Sequence, residues 1–204
     1  MEAQNATSLS ITVENRRKWH LNYVRAVSDS SQSKSLPHII PEKYKKDFKA
    51  NIEVSFNNGL TCTFPAKIRI NGDIKDHIGN MFSSPTSVGY APPPITSLDV
   101  RLLRGNINSS TKFKLFIPST RAGDSEIFIT ALLNNLKFIS PKTYYIPTTF
   151  NGQEVTFLFQ EKITKELLES NQLREGPILE GDERFLWRKD SGTDKTYDRF
   201  NLAR

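Results

Sequence analysis

The polarity of this chain alternates through most of its middle. Phe48 to Phe56 places Ile52, Val54 and Phe56 on one phase and Asn51, Glu53 and Ser55 on the other, the period of a half-buried strand. Asn57-Asn58-Gly59 interrupts it and LTCTFPAKIRI resumes it, so a hairpin is predicted. In 98–106 the alternation of Val100 and Leu102 with Arg101 and Leu103 is loose, which predicts a strand covered on both faces. Phe113, Leu115 and Ile117 alternate with Lys112, Lys114 and Phe116. From Ile127 the spacing changes: Ile127, Ala131, Leu132 and Leu136 recur at helical intervals, behind a cap at Gly123-Asp124-Ser125. Asn151-Gly152 between TTF and VTF is a strong hairpin signal, and 163–171 reads as a short helix.

The ends are less regular. Residues 1–10 are small and polar and are expected to be poorly ordered. Ile11 and Val13 predict a short strand, and Trp19, Tyr23 and Ala26 favour a helix over a second strand. SDSSQSK (28–34) reads as a loop, and Pro37 and Pro41 bracket extended backbone. Met81 to Pro94 is rich in Pro and Ser, a surface excursion whose part from Ser83 to Pro94 could contact a protein partner. Beyond Gly176-Pro177, 178–187 reads as a strand with a turn at 180–183. The expected organisation is an N-terminal extension (1–40), a sheet with a helix (41–171) and a C-terminal segment (172–204). The expected class is α+β: a mostly antiparallel twisted sheet with one or two packed helices.

Composition changes this picture little. The 204 residues are 37% hydrophobic and 25% charged, ordinary for one globular domain. No stretch reaches the ~20 apolar residues of a membrane helix, and the first residues lack a signal-type apolar core, which leaves the cytoplasm as the default compartment. Cys62 is the only cysteine, and His20, His38 and His77 are far apart, so no metal site is expected. The net charge of +6 permits anionic partners. The cations are scattered, apart from Arg16-Arg17-Lys18 and 43–49, so solvated faces are the simpler reading. Nucleic acid ranks last because no aromatics interleave with the basic stretches.

Two places carry candidate chemistry. NGDIKDHIGN (71–80) follows a strand, and Gly72 there would let backbone amides approach a phosphate, or would merely serve a turn. Lys112 and Lys114 share one phase of a strand, facing a ligand or only solvent. The order of elements resembles the spore-coat protein H (CotH) kinase-like family. The resemblance spans about residues 65–171. It is carried by Arg101 to Asn106, Lys112/Lys114, Leu132 to Pro141, Tyr144/Tyr145, Asn151-Gly152, Glu161, and Lys165 to Asn171. It implies a kinase N-lobe-like sheet that binds a nucleotide, with ATP and Mg²⁺ as cofactors. Lys114, Lys112, Arg104, Gly72 and Glu161 would line that site, Lys114 favoured as the phosphate lysine. Glu126 is the candidate helix acid, although it opens the helix a turn early. No Asp…Asn…Asp order of a catalytic lobe follows residue 171, so catalytic residues are unassigned and the chain alone is expected to be inactive. The alternative is a structural or protein-interaction module on the same sheet.

Overall fold

The computed structural model describes residues 5–32, 39–78, 95–181 and 200–202. Its strands are β1 (Ala6–Val13), β2 (Phe48–Phe56), β3 (Thr61–Ile70), β4 (Leu98–Leu102), β5 (Lys112–Phe116), β6 (Thr143–Phe150), β7 (Gln153–Glu161), β8 (Leu179–Gly181) and β9 (Phe200–Leu202). The α-helices are α1 (Arg16–Gln32), α2 (Asp124–Asn135) and α3 (Lys165–Ser170). β1 to β7 form a closed barrel in the order β1-β2-β3-β4-β5-β7-β6, and β8 pairs with β9 in a separate two-stranded sheet.

The expected open, kinase-lobe-like sheet is therefore corrected to a closed mixed barrel. The physical reason lies in β1. It pairs antiparallel with β2 along seven positions from Ala6 to Val13, and parallel with β6 at Leu9↔Thr148, Ser10↔Thr149 and Ile11↔Phe150. Twist curls the sheet until its two edges can share one strand, and closure pairs backbone groups that an open edge would leave bare. β1 starts at Ala6, inside the stretch expected to be poorly ordered. α1 continues to Gln32, through residues read as a loop.

The hairpin signals correspond to real turns. β2 and β3 pair from Phe48↔Ile68 to Ser55↔Thr61 around Asn57-Asn58-Gly59. β6 and β7 pair from Thr143↔Gln160 to Phe150↔Gln153 around Asn151 and Gly152, both at positive φ, as such a tight turn requires. Inside the barrel, Leu9, Ile11, Ile52, Val54, Ile68, Ile70, Leu98, Val100, Phe113, Leu115, Phe157 and Phe159 are buried. Phe159 stacks between Phe113 and Tyr144 at centroid distances of 4.8 and 4.7 Å. α1 closes one end: Trp19 meets Phe48 and Phe150 edge-on at 5.2 and 5.7 Å. Asn22 Nδ2 donates to the Tyr44 carbonyl oxygen at 2.9 Å.

The C-terminal turn expected at 180–183 and the Ser83 to Pro94 loop lie wholly or partly outside the described residues. No helix among the described residues is long and apolar enough to cross a membrane.

Candidate anion-binding wall

The sequence-predicted residues are dispersed over the barrel. Gly72 follows β3 at the end of the barrel that α1 closes. Its φ is +100°, and a Cβ there would fall on the His77 ring. His77 Nδ1 lies 3.1 Å from Ser97 Oγ, and burial, outweighing Asp76, holds its imidazole below the ordinary 6.5. The 71–78 loop is thus tied down by Ser97, just before β4, and by the Ile40 N–H, which donates to the Asp73 carbonyl at 2.8 Å.

Glu161 sits toward the other end and points inward, 2% exposed. Its carboxylate accepts from Ser110 Oγ at 2.9 Å and from the Lys142 backbone N–H at 3.4 Å. Lys142 Nζ donates to the Asn108 carbonyl oxygen at 2.7 Å, and Asn108 Nδ2 to the Tyr144 oxygen at 3.1 Å. Burial pushes the Tyr144 phenol up to about 12. These contacts satisfy a buried carboxylate, as a low-dielectric interior demands.

Lys112 and Lys114 alternate with the inward Phe113 and Leu115 and stand on the outer wall. The structure therefore puts Lys114 and Glu161 on opposite surfaces of the same wall, and Gly72 and Glu161 toward opposite ends. Arg104 is exposed in the turn after β4. Glu126 accepts from Gln160 Nε2 at 2.6 Å, beside the wall. Of the predicted set, only Lys112 and Lys114 share a surface.

What they share it with was not singled out from the sequence. Four strands carry cations on the outward phase, and the register lines them up. Lys49 lies opposite Lys67, Lys67 opposite Arg101, and Arg101 opposite Lys112. The neighbouring row runs Arg69, Asp99, Lys114 and Gln160. Lys162 extends the first row, its backbone N–H donating to the Lys112 carbonyl at 3.1 Å. Two carboxylates hold this array together. Asp47 Oδ2 meets Arg101 Nη2 at 3.2 Å and Lys67 Nζ at 3.8 Å. Asp99 Oδ2 accepts from Arg69 Nε and Nη2 at 3.1 and 2.6 Å, and from Lys162 Nζ at 3.4 Å. The loose polarity of 98–106 has its explanation here: Asp99 is an outward residue buried under two cations.

Lys49, Lys67, Arg69, Arg101, Lys112, Lys114 and Lys162 against Asp47 and Asp99 leave this wall a surplus of five, which the bordering Glu126 and Glu166 reduce to three. Glu166 stands at the rim. Burial alone would raise its pKa, but hydrogen bonds from Thr164 and Thr111 and the nearby Lys112 outweigh that and lower it. Past Lys49 the surface continues into a cleft between α1 and the start of β2. Lys18, Arg25, Lys46 and Lys49 line it with Glu14 and Asp47. The opposite wall differs in kind. Over the β1–β6 seam a shallow groove is lined by Ser8, Ser10, Ser55, Thr149 and Thr156 with Glu53 and Glu154.

The sequence did hold a signal for the wall: KIRI and KFKL alternate cations with apolar residues, and DVRL alternates Asp99 and Arg101 with them. Only the register shows that these cations are neighbours. Among the described residues no group of three or more His, Cys, Asp or Glu side chains is placed to hold a metal ion. No protein-family model matches this chain, and no curated protein matches it significantly.

Proposed function

We propose that this protein is a binding module whose outer barrel wall takes a linear polyanion, a chain of phosphates. The observation that supports it is the row Lys49–Lys67–Arg101–Lys112, three successive like-charged pairs directly across neighbouring strands. Like charges in that position repel and cost stability. A phosphate chain laid across the strands would meet a cation about every 4.8 Å, the strand spacing, and would turn that repulsion into attraction. Asp47 and Asp99 keep the free wall from excessive self-repulsion and fix the guanidinium groups of Arg101 and Arg69. Phe116, on the same phase of β5 beneath Lys114, is buried, so recognition rests on phosphate charge rather than on base stacking.

A labelled single-stranded oligonucleotide, titrated by fluorescence anisotropy across a salt series, tests the reading. Inorganic polyphosphate and MgATP serve as competitors. The expected result is binding at low salt whose logarithm falls linearly with log salt concentration. Competition by polyphosphate should far exceed that by MgATP. Reversing Lys67 and Lys112 together (K67E, K112E) should weaken binding and flatten the salt slope by about two. No binding at low salt, or binding indifferent to these reversals, refutes it. Displacement by MgATP at far lower concentration than polyphosphate would favour a nucleotide site instead.

A further inference from the structure

α2 faces the wrong way for a helix that serves only its own barrel. Its one buried residue is Thr130, whose hydroxyl donates to the Glu126 carbonyl oxygen at 2.9 Å. Toward the barrel it offers Glu126, Ile127, Thr130 and Leu133, of which only Thr130 is fully buried. Away from it stand Phe128, Leu132 and Leu136 at intervals of four, with Ile129 beside them; Phe138 and Ile139, just past the helix end, are exposed as well. Phe128 is 68% exposed, Phe138 61% and Leu136 58%. A lone exposed leucine needs no explanation, but a contiguous apolar stripe marks an interface.

We infer that this stripe is a self-association surface, where α2 of one chain packs antiparallel against α2 of a second copy. Three features favour a second copy. The first is spacing: side chains four apart make the ridge that interdigitates with an identical ridge across a two-fold axis. The second is charge. Asp124, which accepts from the Tyr145 hydroxyl at 2.9 Å, opens α2, and Lys137 follows its last turn. Antiparallel pairing brings Asp124 of each copy toward Lys137 of the other, and sets the helix dipoles side by side and opposed. The Asp124 carboxylate disfavours an anionic lipid surface at this spot. The third is area. Large aromatic side chains present ~150–250 Å² each, so the six exposed residues leave on the order of 500 Å² per chain, and covering both copies reaches the ~1,000 Å² of a specific interface. In this pairing Phe128 packs on Leu132 of the second copy.

Analytical ultracentrifugation of the 204-residue chain, over a concentration series and with far-UV circular dichroism on every variant, tests the inference. A reversible monomer–dimer equilibrium is expected. Leu132→Glu and Phe128→Glu should each weaken it at least about tenfold, as for a central apolar contact, with unchanged dichroism. Asp124→Lys should also weaken it, and adding Lys137→Asp in the same chain should restore it. A chain that is monomeric at every concentration overturns the inference, and so does a monomer that instead floats with anionic phospholipid vesicles through these side chains. A dimer unmoved by the α2 variants, or a charge swap that restores nothing, overturns it as well. None of these outcomes depends on whether the cationic wall binds polyanions.

Discussion

At the scale of single residues, Gly72 and His77 act as a pair. The backbone at Gly72 has φ +100°, and the imidazole occupies the space its missing side chain leaves. Gly72→Ala must strain the backbone and displace the ring, and should cost about 1–3 kcal/mol in urea-induced unfolding. His77 has a pH signature of its own. Burial lowers its folded pKa below 6.5, while Asp76 and Asp73 oppose that and Arg121 and Lys114 reinforce it. The unfolded chain therefore binds the extra proton more readily. The stability this residue contributes is fully present above pH 6.5 and is lost as the pH falls through its lower folded value. Unfolding midpoints measured from pH 7.5 down to pH 5 should fall for the parent chain, and fall less for His77→Gln.

At the scale of elements, the Asn151-Gly152 turn does more than reverse the chain. Asn151 Oδ1 accepts from the Val13 backbone N–H at 2.9 Å, and the Asn151 N–H donates to the Ile11 carbonyl at 2.8 Å. The turn of one hairpin thereby clasps the end of β1. Asn151→Ala removes the side-chain bond and the residue best suited to φ 51° there. It should cost about 1–3 kcal/mol in chemical denaturation, whereas Asn151→Asp should retain most of the stability. Both hairpins were legible in the sequence because each turn and its alternation are local. Barrel closure was not, because Val13 and Asn151 are 138 positions apart and no local pattern encodes which edges meet. The place of β5 beside β7 rather than β6 is equally non-local. For α2, helical periodicity was legible but its outward direction was not, because periodicity alone does not say which side meets the barrel.

At the scale of the whole molecule, one barrel carries two unlike walls. The alternation of Lys112 and Lys114 with Phe113 and Leu115 correctly gave an outward face, but only the shared register turned scattered charge into an array. Self-repulsion on that face makes a prediction independent of any ligand. Lys67→Gln removes the cation opposite both Lys49 and Arg101, and should raise the melting temperature in low salt, with the gain shrinking as salt screens the wall. Equal or lower melting temperatures at all salt concentrations would show that Asp47 already neutralises the row. The seam at β1 has a different consequence. Because this single stave bonds to β2 on one flank and to β6 on the other, its removal would uncover two raw edges at once, with an apolar slot between them. A peptide spanning Ala6–Val13 should slide into that slot and rescue a chain shortened at its start, as donated strands do elsewhere. Native-like dichroism in the shortened chain without any peptide would show instead that closure is dispensable.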